Sequence, residues 1–438
     1  MLFRKIQQTI ETYLKSGSNK VLIIDGARQV GKTFSIRQAG KALFPNYIEV
    51  NMLEDAIGGR LFEQVSSVSD FYLRLSTLAG NKMKDKKDTL VFIDEIQAYP
   101  QLLTLLKFLK EDDKYTFIAS GSLLGVTLAK TTSIPMGSIE VKHMYPLDFE
   151  EFLLANGFGT STITGLRERF KKEESLDEPM HNKLMDMLKR YLLVGGLPDA
   201  VNSFLNDSNI VKVRDIQQEI HSYYAMDASK YDTENRLKIR RIYEMLPSNL
   251  ENKKKRVVVK DIENKKGKRF SDYQDEFDYL ISAGIALDVK AISQPTFPLI
   301  ESSGKNLLKL YLNDVGILTG ILYRNNVTAI LDDVRSINLG TVYESVVAQE
   351  LKAHGFPLYY YDNKAHGEVD FLVDDFDTLS VVPLEVKSGK NYSEHSALNH
   401  FLGTNDYPIH KAYVLSNERV ISRKGKITYL PIYAVMFL

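Results

Sequence analysis

A short apolar run that is broken by a glycine loop constrains the fold of this chain more than any other stretch. Residues 21–33 read VLIIDGARQVGKT. The pattern G-x-x-x-x-G-K-[ST] is matched here by Gly26, Gly31, Lys32 and Thr33. It predicts a strand, then a loop whose backbone N–H groups face a phosphate chain, then a helix whose N-terminus adds its dipole. A Gly-rich turn before a surface helix is the alternative interpretation.

The residue types of this loop predict a site for ATP and Mg²⁺. Lys32 supplies positive charge to the β- and γ-phosphates, and the Thr33 hydroxyl binds Mg²⁺. The other loop residues bring backbone N–H groups close to the phosphates, because glycine permits a close approach. The predicted nucleotide-binding residues of the loop are Gly26, Ala27, Arg28, Gln29, Val30, Gly31, Lys32 and Thr33.

A second stretch strengthens this interpretation. Residues 90–95, LVFIDE, form an apolar run of strand length that ends in two carboxylates. A buried parallel strand delivers acidic groups to its C-terminal edge in this way. Asp94 is predicted to bind Mg²⁺ through water, and Glu95 is predicted to orient or deprotonate the attacking water. The alternative is that the two residues form a helix N-cap pair.

Composition narrows the class of protein. At 438 residues the chain is long enough for two to four structural units. Its 56 basic and 56 acidic residues cancel, so contact with nucleic acid would need local basic patches. The absence of cysteine excludes disulfides, thiolate zinc sites and cysteine nucleophiles. No apolar run approaches the ~20 residues that span a bilayer, and the N-terminus does not look like a secretion signal, so we expect no membrane contact and a cytoplasmic location.

The order of the predicted elements indicates an α/β fold. Residues 1–20 have the pattern of an amphipathic helix, and residues 47–51 and 115–120 have the pattern of strands. Helical patterns at 71–78 and 101–110 flank the carboxylate strand, and this alternation predicts a parallel, doubly wound sheet. The last of these strands ends in Ser120, whose side chain is expected to lie beside the phosphates.

Five segments together carry a resemblance to a known family. They are GARQVGKT, LVFIDEIQ, the strand end SGS, MYPLDFEEFLL and YLLVGGLPDAV. In this combination the chain resembles AAA-type P-loop ATPases that carry a C-terminal DUF4143 domain. The resemblance implies that Ser120 is the sensor residue that reads the γ-phosphate. Many relatives have Gly-Arg after the sensor strand, whereas Ser138 follows Gly137 here, which leaves the arginine finger unassigned.

The middle of the chain is predicted to form a helical lid and a winged-helix unit, as the resemblance implies. Residues 150–235 have helical periodicity that Gly195 and Gly196 interrupt, and a plain helix stop also explains these glycines. The next part contains basic stretches suited to phosphate contacts, with a solvated charged loop as the alternative. The basic residues are Lys253, Lys254, Lys255, Arg256, Lys260, Lys265, Lys266, Lys268 and Arg269.

The C-terminal part carries a second constellation of charged residues. Glu344 lies on a predicted helix, Asp370 on a predicted strand, and Glu385 with Lys387 on the next strand. The last two share one face of their strand, and a hairpin would bring them beside Asp370. This is the layout of a PD-(D/E)XK nuclease core, in which Asp370, Glu385 and Glu344 hold a metal ion and Lys387 assists the chemistry. The alternative is a degenerate nuclease fold in which these side chains form a buried ion network.

These predictions combine into a chain of four parts. They are an AAA-type ATPase domain at 1–155, a helical lid at 156–235, a winged-helix domain at 236–304 and an α/β domain like restriction endonucleases at 305–438. The leading hypothesis is an ATP-hydrolysing protein whose C-terminal region engages DNA, with metal-dependent nuclease activity as a further hypothesis. One alternative is a nucleotide-dependent signalling switch whose tail only binds partners, and another is a kinase for a small substrate. ATP, Mg²⁺ and DNA are the expected ligands, and the sequence is compatible with a homo-oligomer.

Overall fold

We describe the fold from a computed structural model of the chain. The structure describes residues 2–122, 124–125, 137–227, 236–252, 254–263, 267–302, 307–331, 339–389, 392–404 and 407–438. The chain forms two compact units, one of Met1–Tyr145 with Ser282–Gly284 and one of Pro146–Ile281 with Ile285–Leu438. Three lysines of the predicted basic stretches, Lys253, Lys265 and Lys266, lie outside the described residues.

The first unit is built on a five-stranded parallel sheet. Its strands are β1 (Val21–Asp25), β2 (Asn46–Asn51), β3 (Thr89–Asp94), β4 (Thr116–Gly121) and β5 (Ile139–His143). Its helices are α1 (Lys5–Ser16), α2 (Lys32–Leu43), α3 (Met52–Ile57), α4 (Val68–Ala79) and α5 (Gln101–Asp112), with 3-10 turns at Gly80–Lys82, Lys86–Asp88 and Ile96–Ala98. The strand order is β2-β3-β4-β1-β5, and every neighbouring pair is parallel. The predicted α/β fold with a P-loop type sheet is confirmed.

Burial explains why these strands are continuous apolar runs. Every residue of β1 and of β3 is buried, as in parallel sheets whose two faces are both covered. On α1 the predicted apolar face is present, since Ile10 and Leu14 are buried. The Tyr13 hydroxyl donates a hydrogen bond to the Phe117 carbonyl oxygen at 2.6 Å. Helix α1 therefore packs against the sheet of its own unit.

The second unit begins with a run of helices. They are α6 (Phe149–Ala155), α7 (Thr160–Lys171), α8 (Glu178–Val194), α9 (Pro198–Asp207), α10 (Ile210–Asp227), α11 (Arg236–Glu251), α12 (Val259–Glu263) and α13 (Gln274–Ser282), with a 3-10 turn at Phe270–Tyr273. Helices α6 to α10 confirm the helical character predicted for residues 150–235 where those residues are described, apart from the connections between the helices. No helix in the described part of the chain is both long enough and apolar enough to cross a membrane.

An eight-stranded mixed sheet forms the rest of the second unit. Its strands are β6 (Ala286–Ile292), β7 (Leu308–Leu312), β8 (Tyr359–Asn363), β9 (Gly367–Asp375), β10 (Ser380–Lys387), β11 (Ala412–Ser416), β12 (Ser422–Lys424) and β13 (Ile427–Pro431). Their order is β12-β13-β11-β10-β9-β8-β6-β7. The accompanying helices are α14 (Val315–Tyr323), α15 (Thr328–Leu331), α16 (Gly340–Ala353) and α17 (Ser396–Leu402), with 3-10 turns at Leu299–Ser302 and Ile432–Phe437.

Two pairings in this sheet bear on the predictions. Strands β9 and β10 form an antiparallel hairpin in which Phe371 pairs with Leu384, which confirms the predicted hairpin. Strand β6 pairs with β7 on one side and β8 on the other. The strand expected to close the winged-helix unit therefore shares a sheet with the C-terminal strands, and the division into four parts stays a prediction.

The double glycine at 195–196 packs against a buried carboxylate. Asp314 has no exposed surface, and it accepts hydrogen bonds from the N–H groups of Gly196 at 2.6 Å and Ile317 at 3.1 Å. A Cβ on Gly195 would lie 2.1 Å from Asp314 Oδ1. A Cβ on Gly196 would lie 2.0 Å from the Leu147 carbonyl oxygen. Close packing, and not only the end of α8, therefore requires both glycines.

The buried Asp314 makes the stability of the second unit depend on pH. Burial raises the pKa of its carboxyl from 3.8 to about 6, although backbone N–H donors oppose the shift. The folded state thus keeps the proton to higher pH than the unfolded state, so stability should fall as pH rises from about 4 to about 6. Asp314→Asn cannot titrate and should lose this pH-dependent part, about 3 kcal/mol by linkage. Urea unfolding of both proteins from acidic to neutral pH measures it, and parallel profiles would contradict the expectation.

Candidate functional site

The glycine loop between β1 and α2 has a backbone shape that glycine permits. Gly26 has a φ of +143° and Gly31 has a φ of +98°. A Cβ on Gly26 would lie 2.3 Å from the Met144 carbonyl oxygen, which is closer than two such atoms can approach. Gly31 is the N-cap of α2 and has no side chain to cap it, so the first N–H groups of the helix remain for an anion.

The predicted loop residues differ in exposure. Ala27 and Val30 are buried, Arg28 is partly exposed, and Gln29 is exposed with a φ of +62°. The buried members present backbone atoms only, whereas Arg28 and Gln29 can reach solvent. Arg28 and Gln29 are therefore more exposed than the apolar loop residues on either side of them.

Lys32 is held inside the loop by two carbonyl groups. Its ammonium donates to the carbonyl oxygens of Gly26 at 2.9 Å and Ala27 at 2.8 Å, and the side chain is buried. Burial lowers the pKa of Lys32, while the nearby carboxylates, Glu95 first among them, oppose that shift. A phosphate chain is a stronger partner for an ammonium than neutral carbonyls are. Lys32 is therefore positioned to exchange these carbonyls for phosphate oxygens.

Two hydroxyl side chains that are remote from Asp94 in the sequence contact its carboxylate. The Thr33 hydroxyl donates to Asp94 Oδ2 at 3.0 Å, and the Ser120 hydroxyl donates to Oδ1 of the same carboxylate. Asp94 is 3% exposed, and burial raises its pKa while the Ser120 hydrogen bond opposes the shift. A hydroxyl and a carboxylate side by side are oxygen ligands of the kind that Mg²⁺ prefers. These residues fit the metal ion that the glycine loop implies.

Glu95 is held in place by two residues that the sequence did not single out. It follows β3 in the left-handed region, with a φ of +53°. Its Oε2 accepts hydrogen bonds from Ser122 Oγ at 3.1 Å and from the Gln97 amide, and the Gln97 amide also donates to Ser122 Oγ at 3.1 Å. Both residues lie in segments that carry the family resemblance, Gln97 in LVFIDEIQ and Ser122 in SGS, so those segments could have indicated them. Both partners are uncharged side chains, and they fix the position of the Glu95 carboxylate.

The second unit brings the predicted C-terminal site residues near one another. Lys387 Nζ donates to Glu385 Oε1 at 2.8 Å, and Asp370 Oδ2 accepts a hydrogen bond from the Val386 N–H at 2.8 Å. Burial, together with the charges of Glu344 and Glu385, raises the pKa of Asp370 well above its usual value. Burial also raises the pKa of Glu385, although Lys387 opposes that shift. These carboxylates therefore interact strongly.

Lysines already neutralise part of this cluster. Lys255 donates to Glu344 Oε1, and Tyr311 donates to Glu344 Oε2 at 3.3 Å. Lys309 has no exposed surface, and its ammonium lies 2.6 Å from a carboxylate oxygen of Glu368. Among the described residues, no group of three or more His, Cys, Asp or Glu side chains has an arrangement that could hold a metal ion. The described geometry thus resembles an ion network more closely than a finished metal site.

Part of the predicted basic surface is used inside the second unit. Lys255 pairs with Glu344, and the Arg256 guanidinium donates to both oxygens of Asp362, at 3.2 and 3.3 Å. Both basic side chains are mostly buried in these ion pairs. The described basic residues that remain exposed are Lys254, Lys260, Lys268 and Arg269. The surface available for phosphate contacts is therefore smaller than the sequence indicated.

Three family models match successive parts of the chain. An AAA domain matches residues 18–153, a domain of unknown function (DUF8612) matches residues 185–328, and a domain of unknown function (DUF4143) matches residues 339–435. The search of curated proteins found no match.

Similar solved structures include several nucleotide-binding proteins. The Walker-type ATPase of Pyrococcus abyssi is 12% identical, with coverage of 73% of this chain and 95% of that chain and a TM-score of 0.43. DnaA from Aquifex aeolicus, bound to AMPPCP, is 12% identical over 64% and 89% of the two chains, with a TM-score of 0.29. The RuvB Holliday junction branch migration motor of Thermotoga maritima is 13% identical over 65% and 89%, also at 0.29. At these sequence identities and TM-scores, the similarity supports no conclusion about the function of this chain.

Proposed function

We propose that the chain binds ATP with Mg²⁺ in its first unit and hydrolyses the ATP. The chain carries an AAA domain followed by a DUF4143 domain, as the sequence predicts. The AAA-type P-loop fold supports a nucleotide-binding ATPase in general. The observation that carries the proposal for particular residues is the contact of Thr33 and Ser120 with opposite oxygens of Asp94. It joins the start of the helix that follows the glycine loop to the acidic end of β3, where a metal bound to the phosphates is needed.

Each residue of the proposed site has its own task. The loop N–H groups and Lys32 bind the β- and γ-phosphates. Thr33 and Asp94 hold Mg²⁺, Asp94 through water, and the bound ion neutralises charge on the phosphate oxygens. Ser120 contacts the γ-phosphate as the sensor residue. Glu95 orients the attacking water and accepts its proton.

Glu95→Gln separates binding from hydrolysis. The amide keeps the size of the side chain but cannot accept the proton, so ATP affinity should stay close to that of the wild type while hydrolysis falls by about two orders of magnitude or more. Lys32→Ala is the matched control, because it removes a binding charge and should weaken ATP binding by more than tenfold, about 1.4 kcal/mol. Calorimetry measures binding, and phosphate release measures hydrolysis.

Two outcomes would count against these roles. Unchanged ATP affinity in Lys32→Ala would remove the glycine loop as the nucleotide site. Equal loss of binding and hydrolysis in Glu95→Gln would reassign Glu95 to a structural role.

We also propose that the second unit engages DNA and that ATP turnover responds to it. The support is the set of exposed cations that remains on segment 254–269 after the ion pairs of Lys255 and Arg256 are formed. Exposed lysine and arginine side chains bind nucleic-acid phosphates. The competing proposal is a slow nucleotide switch. Ser138 favours it, because an arginine at that place would stabilise the charge of the transition state.

Turnover with and without duplex DNA distinguishes these proposals. A DNA-engaging ATPase should hydrolyse ATP several-fold faster with DNA, and the stimulation should weaken as salt rises, because phosphate contacts release counterions. The paired change Lys268→Ala and Arg269→Ala should reduce the stimulation and leave the basal rate unchanged. Turnover that ignores DNA at every salt concentration would favour the switch.

A divalent-cation site at Asp370 and Glu385 is the second candidate function. Its support is an imbalance of charge: Glu344, Glu368, Asp370 and Glu385 face Lys255, Lys309 and Lys387. In addition, Glu385 Oε2 is buried and has no hydrogen-bond partner among the described residues. Burial and, after it, repulsion from Glu344 and Glu385 raise the pKa of Asp370, and a proton or a cation would relieve both effects. In this proposal Lys387 assists cleavage of a nucleic-acid phosphate and does not bind the metal.

A titration with Mg²⁺ and Mn²⁺ tests this site. Asp370→Ala should abolish both metal binding and cleavage, because it removes a ligand. Lys387→Ala should abolish cleavage and leave metal affinity nearly unchanged, because an ammonium is not a ligand. If wild-type protein binds no metal at millimolar concentration and both variants only lower the melting temperature, the cluster is an ion network and the candidate fails.

A further inference from the structure

An arginine at the start of α1 contacts the glycine loop from the interior of the first unit. Arg4 is the residue before α1 and is 8% exposed. Its Nη1 donates to the Val30 carbonyl oxygen at 2.7 Å, and its Nη2 donates to the Tyr145 carbonyl oxygen at 2.6 Å. A single planar guanidinium therefore joins the loop to the segment that follows β5.

The bond to Val30 fixes the direction of a neighbouring donor. The Val30 carbonyl and the Gly31 N–H belong to one trans peptide group, in which the C=O and the N–H point in opposite directions. With its carbonyl turned towards the buried Arg4, this peptide group directs the Gly31 N–H away from the interior. Gly31 tolerates either sign of φ, so the peptide group could turn over at little cost if Arg4 did not hold it.

The same segment also secures the other end of the loop. The Met144 N–H donates to the Asp25 carbonyl oxygen at 2.7 Å, directly before the loop begins. Gly26 approaches the Met144 carbonyl so closely that no Cβ fits between them. Segment 144–145 thus contacts the beginning of the loop directly and its end through Arg4.

From this geometry we propose that Arg4 is a positioning residue of the nucleotide site, which holds the Val30–Gly31 peptide group with its N–H directed at the phosphates of a bound nucleotide. The inference rests on the proposed function, because it concerns the same loop. Arg4 itself does not touch the nucleotide and acts through the peptide group. Lysine cannot replace it fully, because the guanidinium reaches the two carbonyl oxygens from two separate nitrogens in a fixed planar geometry, whereas an ammonium has a single nitrogen.

Arg4 substitutions should weaken the binding of ATP and ADP. Removal of two hydrogen bonds from a charged donor predicts about a tenfold loss of affinity in Arg4→Ala and a smaller loss in Arg4→Lys, which can keep one of them. The matched control is Lys15→Ala, which removes a basic side chain of α1, the helix that Arg4 precedes, and this side chain is 62% exposed. It should bind both nucleotides like the wild type. Calorimetry on the full chain measures all four proteins.

A spectroscopic readout separates positioning from general destabilisation. Valine labelled with ¹³C at the carbonyl and glycine labelled with ¹⁵N give amide signals only from the Val-Gly pairs 30–31, 194–195 and 315–316. In the wild type, Mg²⁺ and ADP should shift the Gly31 signal, because its N–H then donates to a charged phosphate. In folded Arg4→Lys this shift should be reduced, while the other two signals, from the second unit, stay unchanged as internal references.

The outcomes distinguish this inference from the proposed function. If the wild type binds neither nucleotide and its Gly31 signal does not move, the proposed function itself fails. If the wild type binds, Lys32→Ala weakens binding and Arg4→Lys matches the wild type in both affinity and Gly31 shift, the role of Arg4 is overturned. Should Arg4→Ala fail to fold, Arg4→Lys alone decides, because its affinity and its Gly31 shift are both measured on folded protein.

Discussion

The arrangement of strands and helices in the first unit is tied to how the buried carboxylate of Asp94 is stabilised. A charged Asp94 at 3% exposure would cost several kcal/mol without partners. Its side-chain partners are hydroxyls that α2 and β4 deliver, one to each oxygen, and the Glu95 N–H also donates to Oδ1 at 3.1 Å. They can meet at β3 only because the strand order β3-β4-β1 brings the C-terminal ends of these strands to one edge of the sheet. The order of the strands therefore determines which side chains meet at the site.

The second unit handles its buried charges differently. Lys309 and Glu368 pair inside the sheet, and the Lys309 ammonium lies 4.5 Å from the centre of the Tyr360 ring. Lys255 and Arg256, which read in the sequence as part of an exposed basic run, reach carboxylates on α16 and β8. Long side chains permit this, because their apolar stems can be buried while the charged ends find partners. A run of basic residues is thus weak evidence for an exposed binding surface.

The parts of this protein that the sequence predicts well are those that local patterns determine. The glycine loop, the acidic end of β3 and the β9–β10 hairpin each depend on a few neighbouring residues, and each has the predicted secondary structure. The contacts that escaped prediction join distant segments: Arg4 with Val30, 26 residues apart, and Lys255 with Glu344, 89 residues apart. The periodicity of the sequence does not show which donor contacts which acceptor in a distant segment. Sheet membership is equally non-local, because β6 lies in the predicted winged-helix part whereas its partners β7 and β8 lie in the predicted C-terminal part.

The choice of partner distinguishes the two acidic clusters chemically. Around Asp94 the donors are the hydroxyls of Thr33 and Ser120 and the Glu95 N–H, which satisfy its oxygens without forming an ion pair. Around Glu344 and Glu385 the donors include lysines, which cancel charge directly. A divalent cation gains most where negative charge is satisfied by hydrogen bonds but not yet neutralised, because it then displaces weak donors instead of breaking ion pairs. By this criterion the site proposed at the edge of the parallel sheet suits a metal ion better than the C-terminal cluster does, because lysines already pair with Glu344 and Glu385 in that cluster.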